Sequence, residues 1–227
     1  MKNIVVLTGA GMSAESGIKT FRDAGGLWEG FEIEEVATPG AFEKNPKLVF
    51  DFYNQRRKQL FDVKPNKAHH YLKDLENYYN VTIITQNVDD LHERAKSSHV
   101  IHLHGELRKV KSTKDETFVL DWETDLHLGD VDTKGNQLRP HIVWFGEPVP
   151  MLDKAIKIVE EADILVIIGT SMKVYPAANL INFIKFEIPI YFIDPKPTIS
   201  KNNYKNLTLI KNTAVNGTKE LLKKLVY

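Results

Sequence analysis

Four short apolar runs constrain this chain more than anything else in it. Residues 4–7 (IVVL), 81–84 (VTII), 164–168 (ILVII) and 189–193 (PIYFI) are each followed at once by polar or glycine-bearing residues: Thr-Gly, Thr-Gln-Asn, Gly-Thr-Ser and Asp-Pro-Lys-Pro. Unbroken apolar character over four or five residues, rich in branched side chains, marks a parallel strand covered on both faces. Helical patterns lie between the runs. Asn45-Pro46 supplies a cap and a first-turn proline for a helix reaching about Phe61, and Asn66 caps another through Tyr78. Residues 152–162 and 217–225 are further helices. Strands alternating with helices predict an α/β fold, a doubly wound parallel sheet of Rossmann-like kind. Ligands of such sheets sit beyond the carboxyl ends of the strands, so the four polar segments are expected to converge on one crevice.

Two stretches break the alternation. Residues 29–73 read as helical without a strand, and 107–139 are polar and turn-rich around one apolar patch, TFVLDW. Both are assigned to a small inserted lobe, part helical and part hairpin. Residues 1–28, 74–106 and 140–227 then form the large nucleotide-binding domain. Formal net charge is zero over 227 residues, which argues against a nucleic-acid footprint. No apolar run approaches the roughly 20 residues a membrane span needs. The start, MKNIVVLTGAG, reads as a strand and not as a signal peptide. There are no cysteines, which excludes disulfides and thiolate metal sites. A cytoplasmic location is expected.

Gly9, Gly11 and Ala14 give G-x-G-x-x-A directly after the first strand. Glycines there allow a tight turn and close approach to a pyrophosphate, although a purely structural turn has the same pattern. A dehydrogenase would place an acid about 20 residues later at a strand end. The segment GGLWEGFEIEE is no strand end, so Asp194, after the last run, is the better ribose acceptor. Its alternative is a simple Asp-Pro turn. On the helix from Pro46, Val49, Tyr53, Arg56 and Leu60 share one stripe. An arginine on an inward stripe needs an anionic partner, which a structural salt bridge or a ligand carboxylate would satisfy. Arg57 and Lys58 are expected to face water. Of the eight histidines, His104 stands out because Gly105 follows it at a strand end. His102 reads as structural, His92 as part of a polar network orienting Asn87 or Asp89, and His69 and His70 as helix surface.

Five segments read together: GAGMSAESG…FRDAGGLW (9–28), TQNVDDLHERA (85–95), HLHGEL (102–107), RPHIVWFGE (139–147) and GTSMKVYPA (169–177). In this order and spacing the chain resembles the sirtuins, NAD-dependent protein-lysine deacylases, and most of all their bacterial and archaeal short forms. The resemblance implies that Gly9, Ala10, Gly11 and Ser13 cradle NAD, with Phe21, Arg22, Asp23 and Trp28 on a mobile cofactor loop. It places Gln86, Asn87, Val88 and Asp89 around the ribose and nicotinamide, with Asn87 and Asp89 serving catalysis. Gly169, Thr170 and Ser171 fall on the phosphates or ribose, Asp194, Pro195 and Lys196 on the second ribose, and Ala214 near the adenine. His104 is the implied general base, activating a ribose hydroxyl after the acyl oxygen has displaced nicotinamide. Val143, Trp144, Phe145, Gly146, Glu147 and Val174 would hold the substrate peptide as an added strand. The Tyr-x-x-Arg of Tyr53 and Arg56 matches the pair that binds succinyl- and malonyl-lysine carboxylates.

The chain departs from that family in three places. Four zinc cysteines are missing from KVKSTKDE (109–116) and DTKGNQLRP (132–140), and His99, His127 and His141 have no zinc spacing. A zinc-free lobe is expected, packed on Phe118, Leu120 and Trp122. Lys19 stands where the family has a proline, and Lys196 where its ribose clamp has an acid. NAD is the expected co-substrate, acylated-lysine proteins or peptides are the expected partners, and neither nucleic acid nor membrane is expected to bind. The rival readings are an ADP-ribosyltransferase or NADase on the same fold, and a non-catalytic module binding NAD or ADP-ribose.

Overall fold

The computed structural model of the protein describes residues 1–19, 30–200, 202 and 204–226. The strands are β1 (Asn3–Thr8), β2 (Asn80–Thr85), β3 (Val100–His102), β4 (Gly105–Ser112), β5 (Val119–Asp121), β6 (Leu138–Ile142), β7 (Ile164–Ile168), β8 (Ile190–Ile193) and β9 (Leu207–Ile210). The helices are α1 (Ala10–Ser13), α2 (Ile33–Val36), α3 (Pro39–Lys44), α4 (Pro46–Asp62), α5 (Lys67–Leu75), α6 (Leu91–Arg94), α7 (Leu152–Glu160) and α8 (Ala214–Val226). Six strands form a parallel sheet in the order β3-β2-β1-β7-β8-β9. All four apolar runs of the sequence are in it.

Alternate residues of one strand serve two cores. Val5, Leu7, Leu165 and Ile167 pack with α7 on one face, while Ile4, Val6, Val166 and Ile168 pack with α5 and α8 on the other. This two-sided burial is why the runs show no polar alternation. Strand order reverses between β1 and β7, and that switch point opens the crevice. Helix α5 lies in the stretch assigned by sequence to the small lobe, yet its Ala68, Leu72 and Leu75 pack on the large sheet.

The small lobe is built from α2, α3 and α4 against the antiparallel sheet β5-β4-β6. Asn45 caps α4, its Oδ1 accepting from Leu48 N at 3.2 Å. Burial on α4 exceeds one stripe: Val49, Phe50, Phe52, Tyr53, Asn54, Arg57 and Leu60 are all buried. Arg57, expected in water, is 1 % exposed. Its Nε donates to Leu107 O at 3.0 Å, and its Nη1 to Asn54 Oδ1 at 2.8 Å and Thr124 O at 3.2 Å. Burial lowers its pKa to about 10. The helix is gripped on two sides, by α2, α3 and Trp144 on one and by the hairpin on the other, so a single stripe does not describe it.

Where the family's cysteine pairs would fall, Ser112 Oγ donates to Asp132 Oδ2 at 2.7 Å. Asp132 Oδ1 accepts from the backbone amides of Lys134 and Asn136, both at 2.8 Å. This knot ties the end of β4 to the turn before β6. Phe118 and Trp122 pack on the lobe's small cluster of Phe50, Val110, Leu126 and Leu138, but Leu120 points outward and is 41 % exposed. Regular alternation would put Leu120 on the same face as Phe118 and Trp122, but β5 spans only Val119–Asp121 and both aromatics lie outside it, so the period of two does not carry over to them. Among the described residues no group of three His, Cys, Asp or Glu is placed to hold a metal. No described helix is long and apolar enough to cross a membrane.

Candidate active site

The carboxyl ends of β1 and β7 meet backbone to backbone. Gly9 N donates to Ile168 O at 3.1 Å and Gly11 N to Gly169 O at 2.8 Å. Gly169 has φ +60°, and a Cβ on it would lie 2.4 Å from Gly11 C. A Cβ on Gly11 would in turn lie 2.7 Å from Gly169 Cα. The glycines are therefore required by the two turns packing on each other, before any ligand is considered. The helix they open, α1, is a single turn that passes into a 3-10 turn over Ala14–Ser16. A helix this short supplies little dipole.

Beyond the switch point lies one cavity of about 650 Å³, well within the roughly 300–1,000 Å³ of small-molecule sites. Every predicted site residue within the described chain lines it, from Gly9, Ala10, Gly11 and Ser13 at one end to Tyr53, Arg56 and Trp144 at the other. Gln86, Asn87, Val88, Asp89, His104, Gly169, Thr170 and Ser171 also line it, as do Val143, Phe145, Gly146, Glu147 and Val174. Asp194, Pro195, Lys196 and Ala214 complete the far wall. Phe21, Arg22, Asp23 and Trp28 lie outside the described residues.

A buried polar chain crosses the floor. Asn87 Nδ2 donates to Ser13 Oγ at 3.1 Å, and Ser13 Oγ donates to Asp89 Oδ2 at 2.8 Å. Asp89 Oδ1 accepts from Leu91 N at 3.1 Å, and Asn87 N donates to Thr85 Oγ1 at 3.0 Å. Burial pushes the Asp89 carboxyl above the usual range, and the Ser13 bond only partly offsets that. Gln86 Nε2 donates to Thr170 Oγ1 at 3.1 Å, joining the ends of β2 and β7.

His104 follows β3, where Gly105 turns the chain at φ +84° with no room for a Cβ against His141 O. Its Nδ1 lies 3.1 Å from Gln86 O. A carbonyl only accepts, so the proton sits on Nδ1 and the lone pair on Nε2. Burial lowers the pKa of the ring, partly countered by the Gln86 bond. A neutral imidazole with a fixed tautomer is a ready base.

At the lobe end, Tyr53 is fully buried and its hydroxyl accepts from Trp144 Nε1 at 3.0 Å. Burial raises its pKa well above the usual phenol value, so it stays an O–H donor. Arg56 Nη1 donates to Phe52 O at 3.2 Å, and its guanidinium lies 4.4 Å from the Phe52 ring centre. The Trp144–Glu147 turn is locked by Arg139, whose Nη1 and Nη2 reach the Glu147 carboxylate at 2.5 and 2.9 Å. Glu147 also accepts from Trp144 N at 2.8 Å. Asp194 is 6 % exposed, and its Oδ1 accepts from Lys196 N at 2.7 Å. It holds its own turn, as the Asp-Pro alternative expects, while its residue also lines the cavity.

A Sir2 family profile matches residues 9–176. The chain belongs to the Sir2 family. An NAD-dependent protein deacylase of Helicobacter pylori (strain ATCC 700392 / 26695) is 58 % identical over 228 residues, covering all of this chain and 98 % of that protein. A crystal structure of a Sir2 homologue in complex with NAD superposes with a TM-score of 0.86 at 41 % identity, covering 98 % of this chain and 89 % of that one. A mutant Sir2 homologue in complex with 2′-O-acetyl-ADP-ribose gives a TM-score of 0.85 at 40 % identity, covering 99 % and 92 %.

Two histidines differ from their sequence reading. His69, expected on a surface, is 0 % exposed and accepts from Asn66 N at 3.3 Å as the return half of a capping box. His92 does not touch Asn87 or Asp89. Its Nε2 lies 3.2 Å from Thr8 Oγ1, and its ring stacks on His69 with centroids 4.8 Å apart. Sequence reasoning missed Glu15, which lines the cavity and whose Oε2 accepts from Val215 N at 2.8 Å in the first turn of α8. Its position four residues after Gly11, facing a helix start 200 residues away, left no local signal.

Proposed function

We propose that the protein is an NAD-dependent protein-lysine deacylase that accepts acidic acyl groups, succinyl and malonyl, beside acetyl. The observation that carries this reading is the single cavity joining the glycine cradle, a neutral His104 and the Tyr53–Arg56 pair. NAD supplies the ribose carbon that leaves nicotinamide and takes up the acyl oxygen. The crossed glycine turns, which let the backbone come close without side chains, would hold its pyrophosphate. The Ser13–Asn87–Asp89 chain would present an amide and a carboxyl to the nicotinamide and its ribose. Asp194 to Lys196 and Ala214 would flank the adenosine. His104 Nε2 would take the proton of a ribose hydroxyl, with Gln86 O keeping the ring in that tautomer.

The acyl chain would enter between the Trp144 turn and α4. The Tyr53 O–H and the Arg56 guanidinium would meet a carboxylate at its end. An acetyl group would leave both to water and to their present neighbours. The acylated peptide would lie across residues 143–147 and Val174. Lys196 places a cation where the family has an acid, on the adenosine side of the cavity.

Mass spectrometry of acetyl- and succinyl-lysine peptides incubated with NAD tests the reading. Free lysine peptide with O-acyl-ADP-ribose is expected. ADP-ribosylated peptide, NAD hydrolysis alone, or binding without turnover would each defeat it. His104→Ala should lower turnover by at least about 100-fold with the fold intact. Arg56→Met should lower desuccinylation about tenfold or more and spare deacetylation; equal loss of both would remove the acidic-acyl part.

A further inference from the structure

Two histidines grip the successive carbonyls of Gln86 and Asn87. His104 Nδ1 holds Gln86 O, and His102 Nδ1 lies 3.0 Å from Asn87 O. The other nitrogen of His102, Nε2, lies 2.8 Å from Glu93 Oε1 on α6. Both partners of His102 are acceptors, a carbonyl and a carboxylate, so both ring nitrogens must carry protons. His104 has one such acceptor and stays neutral; His102 has two and is an imidazolium.

We infer that His102 is a positioning residue, held as an imidazolium by Glu93, that pins the Asn87 main chain and thereby aims the Asn87 side chain at the nicotinamide. Asn87 carries the amide that reaches Ser13 and, through it, Asp89, so a shift of its backbone moves the whole floor of the pocket. The charges around the ring agree. His92 and Glu93 face it from α6, Asp89 and Asp90 from the preceding loop, Glu106 from β4 and Asp121 from β5. The cations in that recess are already matched: Arg108 pairs with Asp90 and Glu123, and Lys109 with Glu106. Burial opposes charge on the ring, but the bond and charge of Glu93 outweigh it and the pKa is raised. The inference rests on the deacylase reading, because only a nicotinamide pocket gives the Asn87 position its importance.

The test has two arms on the intact protein. By NMR, His102 should be doubly protonated at pH 7.5, where His104 is neutral; a neutral His102 at that pH overturns the inference whatever the activity. By kinetics, Glu93→Gln should move the alkaline limb of kcat/KM for NAD to lower pH by about one unit while leaving the acid limb, set by His104, in place. His102→Gln should raise KM for NAD and weaken nicotinamide inhibition roughly tenfold, with KM for the acyl-peptide unchanged. An unmoved alkaline limb in Glu93→Gln, or equal losses for NAD and peptide in His102→Gln, overturns it. A protein that folds but turns over no NAD would fail the deacylase reading instead, with the ring's charge still decided by NMR.

Discussion

The two lobes hold themselves together by different balances of apolar and polar contact. In the large lobe, Ile4, Val6, Val166 and Ile168 fill one face of a sheet and Val5, Leu7, Leu165 and Ile167 the other, a core of apolar contact on both sides. The small lobe has two smaller apolar clusters, one in which Val49, Phe52 and Leu60 of α4 meet Leu107 and Ile142 and one of Phe50, Val110, Leu126 and Leu138. Buried polar bonds add to this: Arg57 on Leu107 O and Thr124 O and Asn54 on both backbone groups of Leu126 tie α4 to the hairpin, and Ser112 on Asp132 ties the hairpin to itself. Hydrophobic contact is tolerant of direction, whereas buried hydrogen bonds fail when one partner is removed. The small lobe should therefore be the more brittle of the two to single polar substitutions.

Acid is the broadest way to strain the large lobe. Burial depresses His69 to about 4 and His92 well below its ordinary value. The unfolded chain then binds protons first, near pH 6.5, so this stability is present above that pH and is lost as pH falls toward 4. His69 alone removes about 2 kcal/mol between pH 7.5 and 5, and His92 adds loss in the same direction. Denaturant unfolding across this range measures it, and His69→Gln, which keeps a capping-box acceptor, should flatten the acid limb.

In the small lobe, Arg57→Ala leaves the carbonyls of Leu107 and Thr124 without this donor, while Asn54 Oδ1 keeps Leu126 N, and should cost about 2 kcal/mol, seen as a fall in Tm of about 6 °C. Lys58→Ala, next door, removes only the 2.7 Å surface pair with Asp125 and should cost less than about 0.5 kcal/mol. Equal effects of the two would erase the distinction between the buried and exposed sides of α4. Ser112→Ala should cost about 1 kcal/mol by denaturation and leave the large lobe's amide exchange unchanged. The smallest expected effect is that of a chelator: with Ser112, Asp132 and Asn136 in place of thiolates, neither Tm nor turnover should move.

The sheet was legible because its strands are buried on both faces and so write continuous apolar runs into the chain. The cavity was legible because each strand's carboxyl end carries its own polar segment, and the sheet's topology brings those ends together. Arg57 was not legible, since a helix packed on two sides has no single stripe to read. Nor was His69: its burial follows from capping α5 while facing His92, and the pairing of those rings depends on α6, which is sequence-distant and one turn long. The outward Leu120 shows the limit of extending a period of two beyond a three-residue strand, since Phe118 and Trp122 lie outside β5. His102 was read as structural from its place on β3, and the contacts of both its nitrogens give that role a content.

The contact between Glu15 and Val215 has a consequence for how the molecule is made. Gly9 and Gly11 lean on Ile168 and Gly169, and the next turn is braced by a helix that begins at Ala214. A ribosome delivers the cradle's own residues first and its supports last. Throughout most of synthesis the glycine turn lacks these supports, so the crevice at the switch point cannot take its final shape until the last strands and helix have emerged.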